Sequence, residues 1–369
     1  MRKVVIVSLA TYPSQTPRSF RTHELAVELA RQGHDVTLYV LPGKYNYDKY
    51  ELENNLKVKS LGRTYFFKYD HKIGIYQNLF FKIIKKLFAN LLEFPLIELA
   101  RNSYKTLKKE KNVDLLITIG RPYPIHWGIA LYKTLHDSQS KSNPKIWVAD
   151  CGDPYMGNKF HKKPFYFSYL EKWFCKKADY ISIPISDAIN GYYSEFHNKI
   201  KIIPQGFNFS DVKSDGFFKK NKVPTFIFAG SLYQKLRDPR PFLDYLLQKE
   251  LEFKFIIYTK DKYLLNDYIH LFGGKLIVLD YIQRKDLIQE MRKADFLINF
   301  ENPSSVQSPS KLIDYAISGR PILSVNTNNF LDVTTISDFL DGNYTNEFVI
   351  SDIEQYNIKN VAEKFINLL

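Results

Sequence analysis

Apolar residues along this chain fall into short unbroken runs separated by longer stretches of helical spacing. That is the pattern of strands buried on both faces alternating with amphipathic helices. Residues 4–9 form the first run. Thr16 can cap a helix opening at Pro17, whose apolar stripe passes through Leu25, Leu29 and Ala30 and stops at Gly33 before a strand over 35–40. Further strands are predicted over 114–119 and 145–150 and within 178–186 and 201–208. A polar stretch over 206–221 reads as a linker, and the rhythm restarts with runs at 225–230, 253–259, 275–279, 296–300, 321–325 and 347–350. The expected fold is α/β, with two Rossmann-like doubly wound parallel sheets. The expected domains are residues 1–207 and 208–352, followed by an amphipathic closing helix over 353–369. A length of 369 residues suits two domains of ordinary size.

Composition narrows the class. Apolar residues at 45% and charged residues at 25% fit a globular protein able to bury real cores. A net charge of +13 calls for an anionic partner: nucleotide phosphate, a lipid headgroup surface or nucleic acid. No nucleic-acid-binding module is recognisable, so nucleic acid is not expected. Cys151 and Cys175 show neither ligand spacing nor a disulfide framework, which suits a reducing compartment. The apolar run after Met1 is too short for a signal peptide, and no stretch approaches the roughly 20 apolar residues of a membrane span. A cytoplasmic protein is expected. Residues 65–100 depart from the α/β rhythm, interleaving aromatic and aliphatic residues with Lys68, Lys72, Lys82, Lys85 and Lys86. They read either as a core helix edged by solvated lysines or as a surface helix lying on anionic lipid at the inner face of the membrane.

Several residues carry candidate chemistry. The loop after the first strand lacks G-x-G-x-x-G, which argues against a dehydrogenase. Arg18 and Arg21 stand at the start of the first helix, either facing a phosphate or acceptor or simply solvated. His126 follows the 114–119 strand at a helix start, and Asp150 and Asp153 end the next strand, where one could serve as base for an acceptor hydroxyl or both could cap the loop. Gly230 and Ser231 end the first strand of the second half, with Lys235 and Arg237 just beyond to neutralise a diphosphate. Residues 296–324 form a strand, a polar loop and a helix opening at Ser308, Pro309 and Ser310. A phosphate can sit at such a helix end. Lys311 lies in its first turn, and Asp314 one turn later could take two ribose hydroxyls.

The string SPSKLIDYAISGRPIL, the "GHDV" ending the first helix, the "KADYISI…S" and "IIPQGFN" segments and the FAGSLYQKLRDPR loop together resemble retaining, metal-independent glycosyltransferases of the GT-B fold, group 1 or family 4 type. The resemblance implies two Rossmann-like domains facing a cleft, an amino-terminal acceptor domain and a carboxyl-terminal nucleotide-sugar domain. It also implies a final helix packing back on the first domain. The implied reaction moves a sugar from a nucleotide diphosphate donor to a saccharide or polyprenyl-linked acceptor in cell-envelope polysaccharide synthesis, with no other cofactor and no metal. Asp314 holds the place of the family's ribose-binding acid, and His126, Asp150, Asp153, Lys235 and Arg237 are the candidate catalytic residues. The family often has a glutamate where this chain has Val306. That departure leaves an alternative, a catalytically silent glycosyltransferase-like binding or scaffold protein.

Overall fold

The apolar runs become parallel strands because helices cover both faces of each sheet. In the computed structural model, the structure describes residues 1–369 except 15, 42, 68–86, 137–143, 159–162, 211–219, 235–236, 302–309 and 328–330. The chain divides into two units, Met1–Asn208 with Gln355–Leu369, and Phe209–Glu354.

The first unit holds β1 (Lys3–Val7), β2 (Asp35–Val40), β3 (Lys57–Ser60), β4 (Leu115–Gly120), β5 (Ile146–Cys151), β6 (Tyr180–Ile183) and β7 (Ile200–Ile202) in one parallel sheet of order β3-β2-β1-β4-β5-β6-β7. Its helices are α1 (Pro17–Arg31), α2 (Asp48–Asn54), α3 (Glu98–Lys109), α4 (Pro124–His136) and α5 (Phe167–Lys177). The second unit holds β8 (Thr225–Ala229), β9 (Lys254–Tyr258), β10 (Leu276–Leu279), β11 (Phe296–Phe300) and β12 (Ile322–Val325), in the order β10-β9-β8-β11-β12. Here the helices are α6 (Arg240–Leu247), α7 (Asn266–Leu271), α8 (Arg284–Arg292), α9 (Ser310–Ser318) and α10 (Val333–Asp341). The final helix α11 (Ile358–Ile366) belongs to the first unit. This is the two-sheet α/β architecture that the hydrophobic pattern predicts.

Local signals explain the elements. Thr16 caps α1 in a capping box, its hydroxyl accepting from the Ser19 backbone N–H at 3.2 Å while Ser19 Oγ accepts from the Thr16 N–H at 2.9 Å. β1 is buried from Val4 to Val7 and pairs with β2 on one side and β4 on the other. The order in which successive strands are added therefore reverses beside β1, and by the same logic beside β8, which pairs in parallel with β9 and β11. In open parallel sheets, ligands bind outside the carboxyl ends of strands at such switch points. Phe226 stacks on Phe255 at 4.7 Å and on Phe296 at 4.8 Å, an aromatic spine through three strands of the second unit. Such pairs contribute roughly 0.5–1.5 kcal/mol each beyond area burial. Ile358, Val361, Ala362 and Phe365 of α11 bury against the α1 side of the first sheet. A parallel bridge between Phe207 and Asn357 brings the chain back there.

One expected strand fails and one unexpected strand appears. Residues 347–350 are not a strand; the Phe348 N–H reaches the Ile322 carbonyl at 2.8 Å, but Phe348 and Val349 stay exposed, so the run never finds a second face to bury. β3 was not anticipated, because its sequence KVKS is mostly exposed at a sheet edge and carries no apolar run.

Candidate functional site

At the carboxyl edge of the second sheet, β8 ends at Gly230, whose N–H donates to the Tyr258 carbonyl at 3.1 Å. A Cβ on Gly230 would lie 3.2 Å from Phe228 Cζ, so the strand end is kept slim and its backbone approachable. Ser231 Oγ lies 3.2 Å from Tyr281 Oη, and the Leu232 N–H donates to Asp261 Oδ2 at 3.0 Å. Tyr233 and Arg237 then pair through backbone hydrogen bonds of 3.0 and 3.3 Å, closing a tight turn. Lys235 lies outside the described residues, as do Ser308 and Pro309.

Helix α9 is bolted to this strand end. The Tyr315 hydroxyl accepts from the Ala229 N–H at 2.7 Å and donates to the Ala229 carbonyl at 3.3 Å. Burial pushes this hydroxyl up, and the nearby charge of Arg237 opposes the shift. One residue earlier, Asp314 is buried with both oxygens engaged: Arg284 Nε donates to Oδ1 at 2.7 Å, and Lys311 Nζ reaches Oδ2 at 3.4 Å. Ser310 begins α9. Lys260 Nζ sits 5.2 Å from the Tyr281 ring centre. Tyr315 thus ties α9, and with it Lys311 and Asp314, to the end of β8 beside Gly230 and Ser231, and the charge of Arg237 is felt at Tyr315. Arg284, Tyr281 and Tyr315 join this edge without having been foreseen. Nothing in the sequence ties Arg284 to Asp314 across thirty positions. Tyr315 did leave a signal, being a large residue inside an otherwise small run after the acid.

The first unit answers differently. Arg21 donates to Asp150 from Nη2 to Oδ1 at 2.6 Å and from Nε to Oδ2 at 3.1 Å. The same guanidinium donates to the carbonyls of Ile203 and Pro204. Ser182 Oγ adds a 2.7 Å bond to Asp150. Burial alone would raise the Asp150 carboxyl, but the charge and hydrogen bonds of Arg21 hold it below the usual range. Asp150, a candidate base, and Arg21, a candidate phosphate ligand, are both sealed from solvent and spend their hydrogen bonds on each other and the chain. Arg18 is partly exposed, 3.5 Å from Asp150, and lies where a Cβ on Gly152 would be.

His126 is closed off as well. It is fully buried, with Nδ1 2.7 Å from Thr118 Oγ1 and Nε2 3.7 Å from Cys151 Sγ, and burial drives its pKa down to about 3. Asp153 is half-buried, and its backbone carbonyl accepts from the Tyr123 hydroxyl. Among the described residues, no group of three His, Cys, Asp or Glu is arranged to hold a metal ion, and no helix is long and apolar enough to cross a membrane.

No family model and no curated protein matches this sequence. Solved structures do match in fold. Anabaena HepE in complex with UDP has a TM-score of 0.61 at 9% identity, covering 99% of each chain. The lipopolysaccharide outer core galactosyltransferase WaaB has a TM-score of 0.56 at 13% identity over 99% of this chain and 98% of that one. A putative UDP-N-acetylglucosamine 2-epimerase from Listeria monocytogenes has a TM-score of 0.52 at 11% identity over 99% of this chain and 95% of that one. The architecture is the GT-B fold.

Proposed function

We propose that this protein is a glycosyltransferase whose second unit binds a nucleotide diphosphate sugar and whose first unit handles a saccharide or polyprenyl-linked acceptor. The observation that carries the reading is the convergence of Gly230, Arg237, Lys311 and Asp314 beside β8, at the switch point of a fold that HepE uses with UDP. Cleaving a sugar–phosphate bond builds negative charge on the leaving diphosphate, and fixed positive charge in a partly dry site stabilises it. Arg237, Lys235, Lys311 and the amino end of α9 with Ser308, Pro309 and Ser310 supply that charge, so the reaction proceeds without a metal and, as in the family it resembles, with retention. Asp314 takes the ribose hydroxyls. The long 3.4 Å contact to Lys311 is the one that yields when donor binds, turning the lysine toward phosphate.

The acceptor in this reading belongs to the cell envelope, in line with the lipopolysaccharide outer core named for WaaB. Most of 65–100 lies outside the described residues, but its flanks Phe66, Leu87 and Leu92 are exposed, and Tyr166 beside exposed Phe165 donates to the Leu91 carbonyl. This face would rest on anionic lipid at the inner side of the membrane, and co-sedimentation with anionic but not neutral vesicles tests it.

Thermal-shift screening with UDP-, GDP- and other nucleotide sugars tests the donor reading, since a ligand bound only by the native state raises the melting temperature. Stabilisation followed by acceptor-dependent release of nucleoside diphosphate is expected. A donor that is isomerised rather than transferred, or never turned over, overturns it.

A further inference from the structure

The loops after β1 and β2 bring a cluster of aromatic rings to the carboxyl edge of the first sheet. Tyr12 stacks on Tyr50 of α2 with ring centres 5.9 Å apart and planes 4° from parallel. It also meets Tyr45 edge-on at 5.7 Å and His23 of α1 at 5.9 Å. Tyr47 closes the base, edge-on to Tyr45 at 4.8 Å and to Tyr50 at 5.7 Å. His23 Nδ1 lies 2.9 Å from Tyr50 Oη, so the lower rings are locked by hydrogen bonding as well as packing. Burial is graded through this group. Tyr47 and Tyr50 are buried, Tyr45 is half-buried, Tyr12 is 47% exposed, and Phe20, one turn before His23 on α1, is 42% exposed.

A cluster serving only the core would bury its outermost ring. Here the inner tyrosines hold an outer one rigid in water, at the edge of a parallel sheet where ligands bind. Behind the effect of burial, the hydrogen-bonded Tyr12 and then Glu53 push the Tyr45 hydroxyl up, and Glu24 pushes up that of Tyr50 against a hydrogen bond from Thr11. A rim of tyrosine hydroxyls suits a ligand that carries hydroxyls itself.

We infer that Tyr12 is the platform of a saccharide subsite, on which an uncharged pyranose stacks through its C–H face while the Tyr12 and Tyr45 hydroxyls meet its hydroxyls. Assigning that ring to the acceptor rests on the proposed transferase reading; the ring's binding here does not.

Saturation-transfer NMR of the full chain with methyl glucopyranoside, methyl galactopyranoside and methyl N-acetylglucosaminide tests the subsite. Transfer to the ring protons of at least one is expected, with affinity falling about tenfold in Tyr12→Ala, the scale of one lost aromatic stack. Tyr12→Phe, which keeps the ring, should retain most of it. Absence of transfer from all three pyranosides overturns the inference, and so does transfer unchanged in Tyr12→Ala. The melting-temperature shift produced by UDP-glucose, recorded on the same variants, reports the donor reading separately. Equal shifts in wild type and Tyr12→Ala beside lost pyranoside binding support two distinct sites. Pyranoside binding at Tyr12 with no UDP-glucose shift leaves the saccharide subsite standing and removes only its assignment to an acceptor.

Discussion

Two aspartates, one in each unit, end up buried at the carboxyl edge of a parallel sheet, and each is paired with an arginine. Asp150 is gripped at both oxygens by Arg21, whose side chain is itself 3% exposed. Asp314 is held by Arg284 and Lys311, whose side chains are 21% and 39% exposed. The chemistry of the pairs is the same, but the exposure of the cation differs. A guanidinium that also donates to Ile203 and Pro204 cannot turn toward a ligand without orphaning buried carbonyls. Lys311, at 3.4 Å and near the surface, can turn toward a phosphate while Arg284 keeps the buried Asp314 carboxylate paired. Asp150 is thereby locked into its surroundings, whereas Asp314 keeps one partner that can move, and the proposed ligand role rests on that difference.

Breaking Asp150 gives the largest effect expected. Asp150→Ala leaves Arg21 buried and uncompensated, which costs about 3–5 kcal/mol. Urea denaturation should show this, and a change below about 1 kcal/mol would erase the contrast. Because the Asp150 carboxyl titrates below its usual range, its contribution is present above that range and lost as pH falls through the folded value.

Glu171 sharpens the comparison as a third buried carboxylate, held by the N–H groups of Tyr155 and Met156 at 3.2 and 3.3 Å instead of by a guanidinium. Burial then prevails and raises its pKa to about 7. The native state holds this proton more tightly than the unfolded chain, so stability falls as pH rises from the ordinary carboxylate range through about 7. Glu171→Gln should remove up to about 3 kcal/mol of that fall, read as the difference between the two proteins' pH profiles of denaturation.

Asp314→Ala should weaken UDP binding by about tenfold, or about 1.4 kcal/mol, in calorimetric titration, with a stability loss smaller than that of Asp150→Ala. Equal losses of stability in both variants would make the two aspartates equivalent and remove the ligand role. The smallest effect is expected from Arg237→Ala, roughly threefold on UDP affinity and near zero on melting temperature, since a half-exposed cation is well screened.

The two-sheet fold was legible because strands covered on both faces must be continuously apolar, as β1, β4 and β11 are, and because Thr16 and Gly33 punctuate α1 with residues chosen by backbone geometry. The failures follow the same rule. β3 pairs at an edge, where its lysines suffice, and the apolar run at 347–350 lies where no second partner strand completes it. For the site, residue type and sequence neighbourhood were visible, but burial was not. His126, Arg21 and Asp150 look like chemistry in the string, yet the fold closes them into a core network with Thr118, Ser182 and Cys151.

By itself, the sequence determined the alternation of elements and the strand ends at which a ligand could sit, because hydrophobic periodicity and capping are local. The tertiary structure decided which charges remain available. Whether an arginine meets water or a buried carbonyl depends on segments far apart in the chain, such as Arg21 with Pro204 or Arg284 with Asp314, brought together only when the sheets assemble.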